Sequence, residues 1–374
     1  MAASNCDEKG PICSNCISSE RLCEYPEMTI QAMQSSRISR KRTSSPSEST
    51  ESSVSNLPPD FTSSSSFIQS DPPVNMLHAE LLYHLSTETF PSLRVGGNNI
   101  ILLHKEAISH GLAAPYLMNE LLALAALHLS IIRKSQKEFY RHHSAQLQNH
   151  ALRMFHETDS DPDMKPPVPA FLFSSILGMH LLCDTLVHRD RDFQVFLDRF
   201  IHYFRIHRGV RTVIAGNWSQ IKETSLRPIL NEAEERMQSS TRDGQVCSRL
   251  LELTKAAKLG PSITETYEQA LEALQSSLNA SQSDTTGGTM HGALAWPVIV
   301  PWEYTNMLVH RRPEALVILA HYAVLLHSCR DMWVFGDGGK FLIQSIDRYL
   351  GPQWAEWLYW PNHVLAKSIP VDTC

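Results

Sequence analysis

Apolar residues recur at helical spacing along most of the chain after its first fifth. Leu77, Leu81 and Leu85 repeat every four residues, which predicts an apolar stripe along a first helix. Residues 116–133 are apolar on most faces, so a second helix is expected in the middle of a folded body.

The same periodicity continues to the end of the chain. It predicts further helices at residues 136–156, 170–187, 192–208, 220–240, 246–257, 262–280, 314–329, 339–350 and 353–365. No alternating pattern typical of β-strands and no repeat of fixed period interrupts them. The fold class predicted for residues 74–374 is therefore all-α, as one large multi-helix body.

No stretch of the chain reaches the roughly 18 uninterrupted apolar residues that a membrane-spanning helix needs. The nearest, residues 117–132, contains Asn119, Glu120 and His128, so it predicts a buried core helix and no membrane span. The first residues do not form the apolar run of a secretory signal.

The segment 27–73 differs sharply from this body because serine and proline replace large apolar residues. Such a composition cannot offset the entropy of ordering the chain, so a disordered linker is expected. A basic cluster lies near its start, formed by Arg37, Arg40, Lys41 and Arg42. This cluster is a candidate nuclear-import signal, although a solvated run of charge is the alternative interpretation.

Four of the eight cysteines lie in residues 1–26, which form a separate module in this interpretation. Cys6, Cys13, Cys16 and Cys23 are separated by six, two and six residues. Thiolates at such short intervals can close on one tetrahedral zinc ion, and the polar residues between them cannot build a core without it. These four cysteines are therefore the candidate metal ligands.

This module resembles the second half of the fungal binuclear zinc-cluster (Zn(2)-C6) transcription factors. The run Cys6-Asp7-Glu8, the Cys-x2-Cys pair at Cys13 and Cys16, and the closing Cys23-Glu24-Tyr25-Pro26 match the third to sixth cysteines of the family pattern. The resemblance implies zinc as a cofactor, promoter DNA as a partner and the nucleus as the location, with shuttling to the cytoplasm left open.

Two parts of the family module have no counterpart in this sequence, the first cysteine pair and the basic helix that reads DNA. Four thiolates hold at most one zinc ion. Lys9 and Arg21 are the basic residues around them, against four acidic ones, so this form should bind DNA poorly, and no DNA-contacting residue is assigned. Either the chain begins downstream of the true first exon or it is a genuine short form; the detail kept from Cys6 to Pro26 favours the first.

The helical body also resembles a known domain, the regulatory domain of the sterol-uptake-control type of zinc-cluster factor. The phrases at residues 79–84, 121–129, 208–211 and 312–316 carry this resemblance. It implies an all-helical domain that buries a sterol or another apolar small molecule and works with transcriptional co-regulators. No ligand-binding residue is assigned from it.

Six of the seven tryptophans lie after residue 295, and two interpretations of them remain open. Large aromatic side chains could line an apolar ligand pocket, or they could pack the core of the helical body. The net charge of −6 argues against a nucleic-acid surface on the body itself. The scattered Cys183, Cys247, Cys329 and Cys374 indicate free thiols in a reducing compartment.

Enzyme signatures are weak. The run His188-Arg189-Asp190 copies part of a kinase catalytic loop, but the expected asparagine is Val195 and no glycine-rich phosphate loop occurs. The acidic run at residues 159–163 is broken by Pro162, so its carboxylates cannot share a helical face. The kinase-like run is therefore interpreted as a coincidence, and the sequence predicts that the chain is not an enzyme. A helical lipid-modifying enzyme is kept as a third hypothesis below the other two, and no catalytic residue is assigned.

The sequence therefore predicts a zinc-cluster transcription factor regulating RNA polymerase II genes, in a form that lacks the basic DNA-reading segment. Sterol or secondary metabolism is a candidate setting. The alternative is a helical regulator that does not bind DNA and instead senses a ligand or sequesters a partner.

Overall fold

The computed structural model describes residues 74–93, 99–157, 166–238, 245–282 and 290–367. The candidate zinc ligands Cys6, Cys13, Cys16 and Cys23 and the basic cluster Arg37, Arg40, Lys41 and Arg42 lie outside these ranges. Within them the chain forms sixteen α-helices and no β-strand, which confirms the all-α prediction for this part.

The helices follow one another with short connections. They are α1 (Met76–His84), α2 (Asn99–Ala113), α3 (Pro115–Ile132), α4 (Lys137–Glu157), α5 (Pro167–Val187), α6 (Phe193–His207), α7 (Gly209–Ile214), α8 (Trp218–Lys222), α9 (Arg227–Gln238), α10 (Gln245–Ala256), α11 (Pro261–Gln282), α12 (His291–Ile299), α13 (Trp302–Val309), α14 (Pro313–Ser328), α15 (Gly338–Leu350) and α16 (Tyr359–Lys367). A π-helical turn, Leu85–Thr89, extends α1.

Helix α3 lies at the centre of the amino-terminal half of the body. It begins with Pro115, whose missing N–H costs nothing in a first turn. It packs along α4 and also contacts α1, α2 and α5. The predicted stripe on α1 reaches it, since Leu81 and Leu85 are fully buried. The predicted central helix is thereby confirmed.

Two helices, α3 and α5, are long and apolar enough to cross a membrane by length and composition. In this structure 72% of the most apolar 18-residue stretch of each is buried inside the protein. Such burial is what a core helix shows, and it agrees with the sequence interpretation of residues 117–132.

The carboxyl-terminal half is organised around α14, which packs against α11, α12, α15 and α16. Aromatic side chains join these helices through their polar ends. The indole of Trp296 donates to the carbonyl of Ala270 at 3.2 Å and stacks on Tyr322 with ring centroids 4.5 Å apart. The hydroxyl of Tyr322 in turn donates to Ala293 at 2.6 Å. Each of these two rings therefore packs in the core and also links two helices through a hydrogen bond.

Several details differ from the helices predicted from the sequence. Helices α2, α7, α12 and α13 were not predicted. The segment 220–240 forms two helices, α8 and α9, because Pro228 begins a new helix near Arg227. The segment 353–365 contains a short 3₁₀ turn, Pro352–Trp354, before α16.

Candidate functional site

A groove of about 640 Å³ opens on the carboxyl-terminal half, between α10, α14 and the segment that leads into α16. This volume falls in the range of small-molecule sites. Its lining is mostly apolar or aromatic. The residues are Arg249, Leu250, Leu253, His321, Ala355, Glu356, Trp357, Tyr359 and Trp360.

The aromatic wall of the groove comes from the last turns of the chain before and within α16. Trp357 packs against Trp354 with ring centroids 5.3 Å apart, and both are partly buried against the core. Tyr359 is 67% exposed at the rim. Leu250 and Leu253 of α10 also line the groove. Its apolar and aromatic lining therefore comes from more than one helix.

The imidazole of His321 lines the groove and is itself almost fully buried. A carbonyl oxygen can only accept, so Nδ1–H of His321 donates to Val317 at 2.9 Å. The ring stacks on Trp360 with centroids 5.4 Å apart. Burial lowers the pKa of His321 to about 4, partly offset by the Val317 hydrogen bond, so the ring is neutral at pH 7.

Charged residues of the groove pair with each other at its mouth. Arg249 of α10 donates from Nη2 to Glu356 across the opening. Its Nη1 lies 3.3 Å from the carboxylate of Glu252, one turn further along α10. These side chains are exposed, so the pairs add little stability. They leave the guanidinium of Arg249 flanked by two carboxylates.

Each of the two interpretations given by the sequence applies to some of the six late tryptophans, and Trp302 lies neither in the core nor in this groove. Trp357 and Trp360 line the groove. Trp296 is fully buried in the core, and Trp333 stacks on His128 with centroids 4.3 Å apart. Trp302, by contrast, is 59% exposed.

A second polar cluster joins α3, α4 and α5. Its three side chains contact one another in the order serine, histidine, carboxylate, as in a hydrolase triad. Ser144 Oγ lies 3.1 Å from His180 Nε2, and His180 Nδ1 lies 2.9 Å from Glu120 Oε1. The serine hydroxyl also donates to the carbonyl of Ala123 at 2.9 Å. All three side chains are buried, Ser144 included, so a substrate cannot reach this serine. The cluster instead ties three helices together.

A third cluster surrounds His128, where the π-helical turn meets α3. Its Nδ1 lies 3.2 Å from His84 Nε2 and 3.1 Å from Thr89 Oγ1. Trp333 covers the ring and donates its indole N–H to Ser92 at 2.9 Å. Burial, with a smaller effect from His84, lowers the pKa of His128 to about 4.

The described residues contain no group of three metal-ligating side chains. The zinc prediction concerns cysteines outside these residues and stays a prediction. Two of the scattered cysteines, Cys183 and Cys247, are buried thiols, and burial raises the pKa of Cys247 to about 12. The pKa of Cys183 is likewise well above its ordinary value. Neither is therefore a ready thiolate ligand.

The kinase-like run lies in the turn between α5 and α6. Arg189 pairs with Asp337 at 2.5 Å. Asp190 accepts from the backbone N–H of Asp192 at 3.0 Å. These contacts stabilise the turn. The acidic run at residues 159–163 lies outside the described residues.

Comparison with known proteins gives one informative relative. The chain matches no family model, and it matches no solved structure. Over 321 residues it is 21% identical to a Zn(2)-C6 fungal-type transcription factor of Gibberella zeae. The match covers 79% of this chain and 64% of that relative, so the chain spans just under two thirds of the relative's length. Over most of its length this chain is thus similar to a fungal-type Zn(2)-C6 transcription factor.

Proposed function

We propose that this chain is a transcriptional regulator of the fungal zinc-cluster type. The observation that carries the proposal is the similarity over 79% of the chain to a Zn(2)-C6 transcription factor. The closely spaced Cys6, Cys13, Cys16 and Cys23 are the family's kind of zinc ligand and support it independently. The protein acts in the nucleus on RNA polymerase II genes, with Arg37, Arg40, Lys41 and Arg42 as its import signal.

The helical body is the regulatory part in this proposal. In this proposal the occupancy of a site on the body alters its contacts with co-regulators. The groove between α10, α14 and α16 supports that role because it is concave, apolar and of small-molecule volume. Its occupant is an apolar small molecule, and a sterol is one candidate.

Chromatin immunoprecipitation of the full-length chain from its own host tests the regulatory function. Enrichment at a defined set of promoters is expected, together with changed transcription of the same genes when the chain is deleted. Uniform occupancy of the genome with no change in transcription would contradict the proposal. Elemental analysis of the purified chain should find about one zinc per molecule, lost in the Cys13→Ser, Cys16→Ser double variant.

The charge of residues 1–26 favours a second candidate, a regulator that acts without contacting DNA itself. Lys9 and Arg21 are the only basic residues in this segment that could contact DNA phosphates. Gel-shift titration of the full chain against its enriched promoters separates the candidates. Binding that weakens steeply with salt identifies the DNA-binding form. Promoter enrichment in the host without binding in the titration identifies the form recruited by a partner.

A further inference from the structure

Two cations of the body, Arg208 and Arg211, are joined by one turn of chain and lack an ion pair. The backbone N–H of Arg211 donates to the carbonyl of Arg208 at 2.9 Å. Arg199 and Arg311 each pair with an aspartate, at 2.9 Å and 2.6 Å. Within the described ranges no carboxylate pairs in this way with Arg208 or Arg211. Both charges are therefore available to a ligand.

Both side chains line the same groove, of about 340 Å³, together with Ile299, Trp302 and Glu303. This arginine groove lies where the junction of α6 and α7 meets the junction of α12 and α13. It shares no lining residue with the groove between α10, α14 and α16. Its volume is sufficient for a small molecule of about two fused rings.

The guanidinium of Arg208 is already held in place. Its Nη1 donates to the carbonyl of Val300, the residue directly after α12. Burial holds the pKa of Arg208 below its ordinary value, repulsion from Arg211 adds to this effect, and Glu303 partly offsets it. An anion bound between the two guanidinium groups would relieve their repulsion without having to order Arg208 first.

The groove also has an apolar part that an inorganic anion would not cover. Trp302 is 59% exposed and Ile299 is 37% exposed, and both side chains line the arginine groove. Large apolar surface next to fixed donors is typical of a site for an organic ligand that carries one polar group. The flat indole favours a flat apolar group on the ligand.

The charges of the groove select the kind of anion. Two guanidinium groups face the single carboxylate of Glu303, which leaves one net positive charge. A carboxylic acid carries one negative charge at pH 7 and matches this balance. A phosphate monoester carries nearly two negative charges, and Glu303 would repel the second.

We propose that the arginine groove binds a small organic acid, whose carboxylate accepts from Arg208 and Arg211 and whose flat apolar part lies on Trp302 and Ile299. This site is additional to the ligand groove of the regulatory proposal and does not depend on it. Arg211 and Glu303 then determine specificity, the first by attracting the carboxylate and the second by limiting its charge.

Equilibrium dialysis of the full-length chain at low salt tests the assignment with matched naphthalene compounds. 2-Naphthoate should bind about tenfold more tightly than 2-naphthamide, which has the same rings but no charge, because hydrogen bonds to charged groups are the stronger ones. 2-Naphthyl phosphate should bind no more tightly than 2-naphthoate.

Four variants locate this preference in the groove. Arg211→Gln removes one exposed charge and should abolish most of the preference for naphthoate over naphthamide. Glu303→Gln should tighten naphthoate binding about threefold and naphthyl phosphate binding by more. Trp302→Ala should weaken naphthoate and naphthamide alike. Arg191→Gln, which removes an exposed charge outside the groove, should change neither.

Four results would overturn the proposal. They are equal binding of naphthoate and naphthamide by the unchanged chain, a preference that survives Arg211→Gln, an equal loss of preference in Arg191→Gln, and no saturable binding of naphthoate. None of these measurements involves a promoter, so a failure here is distinguishable from a failure of the regulatory function.

Discussion

Gly178 lies on α5 where the helix passes the ring of His207. A Cβ at this position would overlap Nδ1 and Cε1 of the imidazole and lie 2.6 Å from its Cγ. The ring cannot easily move, because its Nε2–H donates to the carbonyl of Leu294 at 3.0 Å and the ring stacks on Tyr203. Glycine is therefore required here by close approach.

We expect Gly178→Ala to lower the free energy of unfolding by about 1–3 kcal/mol, the usual cost of forcing atoms into a filled core. Chemical denaturation of the full chain measures it. Gly209→Ala is the matched control, since a Cβ there meets nothing within 4 Å, and it should leave stability unchanged or raise it by up to about 1 kcal/mol. Equal losses in both variants would refute the close-packing argument.

The pair formed by Glu120 and His180 gives a second prediction at this scale. Both side chains are buried, and Glu120 Oε2 has no other partner among the described residues. His180→Phe would leave the carboxylate buried and unpaired, so we expect a loss of about 3–5 kcal/mol in unfolding free energy. His142→Phe, on the exposed face of α4, should change it by less than about 0.5 kcal/mol.

The sequence could not have indicated these polar contacts, although it did contain their residues. Glu120 and His128 were recognised only as interruptions of an apolar segment. Their partners lie 60 and 44 residues away along the chain, in His180 and His84. Periodicity places a residue on a helix face, but it does not pair faces across such separations.

Helix α6 begins at a well-defined cap. Asp192 Oδ1 accepts from the backbone N–H of Gln194 at 2.8 Å, which satisfies a donor that the first turn leaves free. Asp192→Ala should therefore cost about 1 kcal/mol of unfolding free energy, measured by urea denaturation. Asp192→Asn keeps the acceptor and should lose less than half of that amount. A loss as large as that of alanine would show that charge, and not the hydrogen bond, stabilises this end.

At the level of whole helices, the segments with clear apolar periodicity were predicted, but some of the breaks between helices were not. The apolar spacing identified α1, α3, α5, α6 and α14. The junction of α8 and α9 was missed because Pro228 was included in one helix when it marks the start of another. On α4, Phe139 is 49% exposed, whereas its neighbour Tyr140 is buried.

Helix α2 was missed for a different reason. Its apolar residues lie next to one another in the sequence and do not recur at helical spacing, and only Ala107 and Gly111 of this helix are buried. A helix that buries so little on the body leaves a weak periodic signal.

For the whole molecule, buried neutral histidines make stability depend on pH. Burial lowers the pKa of His128, His207 and His321 to about 4 each. In the unfolded chain these rings take up protons near pH 6.5, so between about pH 6.5 and 4 the unfolded state binds more protons than the folded state. Stability should therefore fall as pH falls through this window, by roughly 3 kcal/mol for each ring when complete.

Substitution separates this effect from the titration of carboxylates. His128→Asn keeps an acceptor for His84 and Thr89 but removes the titrating ring. The slope of unfolding free energy against pH near pH 5 should then decrease by about 1.4 kcal/mol per pH unit. Leu326→Ala, which removes only buried apolar atoms, should lower stability at every pH and keep the slope. An unchanged slope in His128→Asn would contradict the assignment.

The groove shows how far the sequence could predict a site in the assembled molecule. The accumulation of tryptophans after residue 295 pointed to this end of the chain, and Trp357 and Trp360 do line the groove. Leu250 and His321 could not be added from sequence, because they come from α10 and α14 and meet only when the bundle closes. The candidate zinc ligands, in contrast, are predicted from their spacing along the chain, which requires no knowledge of how the helices pack.

The placement of the indole rings also gives this protein built-in optical probes. Trp302 lies in water and Trp296 in a dry core, so their emission should differ in wavelength. Trp333 rests directly on His128, and a protonated imidazole quenches indole emission. Acidification would thus dim one ring as that histidine gains its proton, which would let protonation and unfolding be followed separately in an unlabelled sample.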